Sequence, residues 1–175
     1  KRHAPMEVAE VCSSYSDITV LRTKQRDEME ELVRYFRQPV INAGNGPDEH
    51  PTHAMADLYT LFKWHPELLA DAPPAESRLT IAMAGDPETT PSLRSLLYGL
   101  AQFPRAVDRI VLFGHTNTRL AKNQREYLEK AGLKVETGAQ LYPGKSIVGV
   151  VREILPQSDL VYICYLQPMH ATRMD

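Results

Sequence analysis

Residues 40–62 read Val40-Ile41-Asn42-Ala43-Gly44-Asn45-Gly46-Pro47-Asp48-Glu49-His50-Pro51-Thr52-His53-Ala54-Met55-Ala56-Asp57-Leu58-Tyr59-Thr60-Leu61-Phe62. A short apolar run at Val40–Asn42 predicts a strand, and the Gly/Asn/Asp-rich segment after it predicts a loop. His50-Pro51 then opens a helix, because Pro51 suits the first helical position, where its missing N–H costs nothing. Met55, Leu58, Tyr59 and Phe62 follow at helical spacing. His50 therefore lies beside the helix end where free N–H groups and partial positive charge collect. Such a corner can hold an anion or a polarised carbonyl. On residue chemistry alone, a polar residue that only flanks the helix remains the alternative.

The same alternation extends outward in both directions. Apolar residues at i, i+3, i+4 and i+7 recur at Val8, Val11, Cys12 and Tyr15, and at Met29, Leu32, Val33 and Phe36. They return at Leu93, Leu96, Leu97 and Leu100, more loosely at Leu120, Tyr127, Leu128 and Ala131, and again at Ile147, Val150, Val151 and Ile154. Between these predicted helices lie strand-like runs at Ile18–Leu21, Val40–Asn42, Leu79–Ala84, Arg109–Phe113, Leu133–Thr137 and Leu160–Tyr165. Strands alternating with helices predict an α/β protein, with parallel sheets carrying helices on both faces. Asp71-Ala72-Pro73-Pro74-Ala75 interrupts the pattern, since two prolines stop a helix and suit a linker. The region after it has the strands and helices of a Rossmann-like unit. The region before it has only two strands, too few for a stable sheet alone. A first domain over residues 1–70, incomplete, and a second over residues 76–175 are therefore expected.

Hydrophobic residues make up 43% and charged residues 24% of the 175-residue chain, values of a soluble globular protein. A formal net charge of -2 carries no polyelectrolyte signal, so nucleic acid is not an expected partner. No apolar run approaches a membrane span, and no signal peptide precedes the fold, so no membrane partner and a cytoplasmic location are expected. Cys12 and Cys164 each lie in an apolar segment and are expected to be buried thiols. His3, His65 and His170 show no metal-ligand spacing with carboxylates or cysteines. Gly85-Asp86 follows a strand but lacks the glycine spacing of a dinucleotide loop. Neither a metal nor an organic cofactor is expected. The chain opens on Lys1 and is expected to be part of a longer product.

In parallel α/β sheets, ligands bind beyond the carboxyl ends of the strands. Arg22, His50, Asp86 and Gln167 all fall there in the strand reading, and His115 ends the fourth strand. Arg22 offers a guanidinium fork to phosphate or carbonyl oxygens, or is simply a solvated strand-end arginine.

The run Asn42-Ala43-Gly44, Gly46, His50-Pro51-Thr52, Ala54, Asp57-Leu58-Tyr59-Thr60 resembles the signature of the aspartate/ornithine carbamoyltransferase family, closest to its aspartate branch. The stretch Cys12–Arg22 resembles the family segment ending on an arginine that contacts carbamoyl phosphate. The resemblance covers nearly all of this chain but only the middle half or so of a family member. It implies transfer of a carbamoyl group from carbamoyl phosphate to the amine of an amino acid or related acceptor. Residues 1–70 would then belong to the carbamoyl-phosphate-binding domain and residues 76–175 to the acceptor-binding domain. It implies that His50 donates to the carbonyl oxygen and that Arg22 contacts carbamoyl phosphate. His53 stands where the family usually has glutamine beside the amino end of the carbamoyl group. Lys1 aligns with a lysine that reaches a neighbouring subunit's site, which implies a homotrimer with shared active sites.

Other family features are missing. Upstream, the Ser-Thr-Arg-Thr phosphate loop is not found, and downstream neither is the His-Pro-Leu-Pro motif. Pro91 and Tyr165 replace two arginines that hold an acceptor carboxylate, while Gln167 keeps its expected identity. Arg94, one turn beyond Pro91, is a substitute candidate, or else a solvated helix arginine. An acceptor less acidic than aspartate is therefore expected. The alternatives are a catalytically silent homologue that acts as a binding or assembly partner, and an internal portion of a normal-length enzyme.

Overall fold

A computed structural model describes residues 5–114, 118 and 120–164. The first half contains helix α1 (Pro5–Tyr15), strand β1 (Thr19–Thr23), helix α2 (Arg26–Val33), strand β2 (Val40–Asn45) and helix α3 (Pro51–Trp64). Strands β1 and β2 pair in parallel, as expected of two strands joined through a helix. One face of this pair is open: Val20 and its register partner Ile41 are 62% and 38% exposed. Among the described residues, two-sided cover, the usual state of a parallel sheet, is not reached on this pair.

The second half contains β3 (Leu79–Ala84), α4 (Pro91–Leu100), β4 (Val107–Phe113), α5 (Lys122–Lys130), β5 (Val135–Thr137), α6 (Gly138–Leu141), α7 (Ile147–Ile154) and β6 (Leu160–Ile163). Its four strands lie in the order β5-β4-β3-β6, all parallel. Alternation along the central strands sends side chains to two separate cores. Ile81 and Met83 of β3 join Ile110 and Leu112 of β4 beneath α3, α4 and α5. Ala82, Ala84, Val111 and Phe113 point the other way, against Val150 and Ile154 of α7. Helices thus cover both faces of this sheet.

Helix α3 ties the halves together. Its Ala54, Leu58 and Leu61 pack into the cluster of Leu93, Leu96, Leu97 and Leu100 on α4. Close approach is possible because α4 carries Gly99, where an added Cβ would lie 2.7 Å from Leu58 Cδ1. Phe62 meets Phe103 at 4.6 Å between ring centroids. The proline-rich linker runs between a 3-10 turn at Pro66–Leu69 and another at Ala75–Ser77.

Several boundaries move relative to the expectations. Strand β1 runs on to Thr23 and β2 to Asn45, because Thr23 pairs with Asn45 after an irregularity in the ladder. Helix α2 stops at Val33 instead of reaching Phe36. Helix α6 was not anticipated, although Thr137 and Gln140 form a complete capping box in the T-x-x-Q pattern that marks a helix start. Cys12 and Cys164 are free thiols and half-buried, not fully buried, because Cys12 lies on α1, where Ala9 alone is buried, and Cys164 follows β6, which has no buried residue.

Candidate active site

Arg22 leaves β1 at the ladder irregularity. Leu21 pairs with Asn42 and Thr23 with Asn45, so one residue of β1 faces two of β2. A bulge of this kind re-aims a side chain, and such features collect near functional sites. On β2 the extra residue is accommodated at Ala43–Gly44, and Gly44 adopts φ +124°, which L side chains rarely take. Both Arg22 Nε and His50 Cδ2 lie 3.6 Å from where a Gly44 Cβ would be. The glycine sits at the floor of the corner where the two side chains meet.

The loop from β2 to α3 is held by local hydrogen bonds. Asn45, buried, accepts from the Glu49 N–H at 2.9 Å and donates to Asp48 Oδ2 at 3.1 Å. The Gly46 N–H donates to the Thr23 carbonyl at 3.1 Å, joining this loop to the end of β1. Gly46 has φ +71°, and a Cβ there would lie 2.1 Å from the Lys24 carbonyl oxygen, so only glycine fits. From the second half, Ser95 of α4 accepts from the His50 N–H at 2.8 Å and donates to the Glu49 carboxylate. Burial pushes the Glu49 carboxyl above its ordinary range, opposed by the Ser95 hydroxyl and the Arg94 charge.

His50 is the residue preceding α3, with Pro51 in the first turn, as the sequence predicts. Its Nε2 lies 3.4 Å from Arg22 Nη1. The guanidinium can only donate, so this contact requires the tautomer with its proton on Nδ1. Nδ1 itself is buried without a hydrogen-bond partner. Burial first, then the Arg22 cation and His53, push the His50 imidazole below its ordinary pKa, so it stays neutral near pH 7. His53, one turn on, stands edge-to-face with His50 at 5.2 Å between ring centroids. Arg22, His50 and His53 are thus brought together: a cation, a neutral imidazole and a second imidazole at the carboxyl ends of β1 and β2.

Arg94 lies elsewhere. Its guanidinium donates to the carbonyls of Asp48, Pro87 and Glu88 at 2.8, 3.0 and 2.6 Å, and approaches Asp48 Oδ1 at 3.5 Å. Its side chain is 19% exposed. Arg94, the candidate substitute for an acceptor-binding arginine, pins the loop before His50 to the loop after β3, because the carbonyls of Pro47, Asp48, Pro87 and Glu88 and the Asp48 carboxylate converge on its fork. Asp86 shapes that second loop, its carboxylate accepting from the Glu88 N–H at 2.9 Å. Lys1, His115, Tyr165 and Gln167 lie outside the described residues. Asn45, Glu49 and Ser95 were not singled out from the sequence. Asn45 bonds Asp48 and Glu49 locally, a signal the Gly/Asn/Asp-rich loop could have offered, whereas Ser95 meets Glu49 and His50 only through helix packing across 45 residues or more.

An arginine on a strand end and an imidazole at a helix start thus meet beyond the carboxyl ends of parallel strands, where ligands of α/β proteins commonly bind. Comparison with known proteins is more specific. The family described as aspartate/ornithine carbamoyltransferase, carbamoyl-P binding domain, matches residues 2–63. The chain is 31% identical over 155 residues to the aspartate carbamoyltransferase catalytic subunit of Staphylothermus marinus, covering 88% of this chain and 43% of that protein. It is 33% identical over 135 residues to the corresponding subunit of Saccharophagus degradans, covering 77% and 38% of the two chains. A crystal structure of Trypanosoma cruzi aspartate transcarbamoylase with aspartate and phosphate superposes with a TM-score of 0.71 at 26% identity, over 94% of this chain and 49% of that one. The chain belongs to the aspartate/ornithine carbamoyltransferase family, on its aspartate branch. It spans less than half the length of the curated relatives named here.

Proposed function

We propose that this chain provides part of a carbamoyltransferase site, moving the carbamoyl group of carbamoyl phosphate to the amine of an amino acid. The observation that carries this reading is the meeting of Arg22 and His50 at 3.4 Å, on the strand end and helix start matched by the carbamoyl-phosphate domain. The reaction joins the amine nitrogen to the carbonyl carbon and releases phosphate. Arg22 turns its fork to the phosphate and carbonyl oxygens, freeing His50 Nε2 to donate to the carbonyl oxygen after a change of tautomer. Charge developing on those oxygens is then met by groups already in place, the logic of an oxyanion hole. A neutral His50 is the state this role needs, and its surroundings favour that state. Closure of the halves about α3 aligns the reactants and excludes water.

In the same reading, residues 1–70 are the end of the carbamoyl-phosphate domain and residues 76–175 form the acceptor domain. By the resemblance, Lys1, Tyr165 and Gln167, outside the described residues, are candidates to contact substrate, Lys1 for a neighbouring subunit of a homotrimer. The relative crystallised with aspartate supports an amino-acid acceptor. Two free cysteines suit a reducing compartment such as the cytoplasm. Among the described residues no helix is long and apolar enough to cross a membrane.

The test is transfer of label from isotope-labelled carbamoyl phosphate to a panel of amino acids and amines, read by mass spectrometry. A carbamoylated amine is expected, and its formation should fall about a hundredfold in His50→Ala. No labelled product with any amine would overturn the reading.

A further inference from the structure

We propose that Glu49 is a positioning residue for carbamoyl transfer: its ionised carboxylate, acting through the Ser95 hydroxyl, holds His50 in place, and protonating it loosens that hold. This role rests on the carbamoyltransferase reading above. Glu49 and His50 are chain neighbours, and both end on one atom of α4. Ser95 Oγ accepts from the His50 N–H at 2.8 Å and donates its own proton to Glu49 Oε2. A hydroxyl has one proton and two lone pairs, so each partner decides what remains for the other.

Both ends of this relay are fixed. Ser95 is buried on a helix whose apolar face fills the core. The Glu49 backbone is closed onto Asn45 from both sides: its N–H donates to Asn45 Oδ1 at 2.9 Å, and its carbonyl accepts from the Asn45 N–H at 3.1 Å. Pro51 then restricts the backbone of His50. The Glu49 side chain therefore reaches α4 from a rigid base, and its pull on Ser95 is felt at the next residue. The His50 ring itself offers little hold, since Nδ1 is buried without a partner and Nε2 meets Arg22 only at 3.4 Å.

An ionised Glu49 can only accept, so it draws the Ser95 proton and leaves a lone pair for the His50 N–H. Once protonated, Glu49 becomes a donor and competes with that N–H for the same oxygen. Asp48 on its own loop, Arg26 of α2, Arg94 and Tyr98 of α4 and Glu88 after β3 face Glu49 around a cavity of about 480 Å³, with His50 next in the chain. Burial, aided by Asp48, prevails over Ser95, Arg94 and Arg26, so Glu49 titrates above its ordinary value of 4.5. A purely structural role would give the opposite pH dependence. Protonated Glu49 contributes stability that is lost as pH rises through the folded value. A rate set by fold stability alone would fall over that range, whereas a rate set by the hold on His50 rises.

The experiment is labelled carbamoyl transfer by the full chain between pH 4.5 and 7.5, for the parent, Glu49→Gln and Glu49→Ala, and for Glu49→Gln on a Ser95→Ala background. The ratio of parent to variant kcat cancels titration of the substrates and of His50. Glutamine accepts from Ser95 at every pH, so the parent-to-Gln ratio should be highest at pH 7.5. It should fall on acidification in a one-proton step, toward about a tenth at full protonation, with KM for carbamoyl phosphate little changed. Glu49→Ala should lose about tenfold in kcat at pH 7.5, most of which glutamine restores. On the Ser95→Ala background the ratio with and without Glu49→Gln should be flat, because the relay is cut. In histidine-labelled protein, the His50 ring signal should follow the same step in the parent and not in Glu49→Gln. A parent-to-Gln ratio that is flat, or that rises on acidification, would overturn the positioning role while product formation keeps the carbamoyltransferase reading. No product from the parent with any amine would overturn both.

Discussion

Removing the Ser95 hydroxyl should loosen the junction that places His50. Ser95 is 5% exposed, and its Oγ serves two partners across the halves, accepting from the His50 N–H and donating to the Glu49 carboxylate. In Ser95→Ala the N–H loses its acceptor, at a cost of about 1–2 kcal/mol. The carboxylate loses a charge-assisted bond, worth roughly 1.5–3 kcal/mol where it is ionised. The combined loss at pH 7 is therefore about 2–4 kcal/mol by those figures, since both partners are only partly buried and recover some hydration. The pH dependence has a definite sign. Glu49 is already held above its ordinary carboxyl value of 4.5, mainly by burial. Its protonation therefore contributes stability that is full below 4.5 and is lost as pH rises through the folded value. The Ser95 hydroxyl offsets that loss by favouring the carboxylate, so the variant should suffer most above the folded value and least as pH falls toward 4.5. Urea unfolding of parent and variant between pH 4.5 and 7.5, with Glu49→Gln as a third chain, measures this. A penalty below about 0.5 kcal/mol at pH 7, or one that grows on acidification, would refute the reasoning.

Gly46→Ala should destabilise the chain by about 2–4 kcal/mol, since it combines a positive φ with a Cβ placed against the Lys24 carbonyl; an unfolding midpoint equal to the parent's would contradict that geometry. Arg94→Ala should cost about 2–4 kcal/mol by releasing the Asp48, Pro87 and Glu88 carbonyls, and Arg94→Lys should recover little because an ammonium cannot span the fork. Full rescue by lysine in chemical denaturation would indicate a simple charge effect. His50 is held below its ordinary value of 6.5, so it contributes stability above that pH which is lost as pH falls through the folded value. His50→Gln should flatten this acid-side decline in unfolding free energy, and an unchanged slope would count against the burial assigned to the ring.

Element identities were legible in the sequence because each obeys a local rule. The apolar spacing of Leu93, Leu96, Leu97 and Leu100 makes α4 a helix with one buried face, and these residues are 4% exposed or less. Pro51 and His50 mark the start of α3 at the position found. Element ends were less legible, as at β2, whose extension to Asn45 depends on a partner strand 22 residues away. The candidate corner was partly legible. Arg22 and His50 could be named from strand ends and from a resemblance, but their 3.4 Å approach depends on the β2 bulge at Ala43–Gly44, opposite Arg22. Arg94 shows the reverse case. Its helix position left it free to face either way, and packing turned it to the carbonyls of two loops.

The sequence by itself determined the α/β alternation, the linker and the Gly/His-Pro corner, because those follow from periodicity, proline geometry and glycine's access to positive φ. Tertiary structure alone decided that α3 serves both sheets, that Ser95 braces His50, and that Asp57 meets Tyr162 across 105 residues. Such contacts join residues distant along the chain, and their geometry exists only once two apolar faces have excluded water and brought them into register.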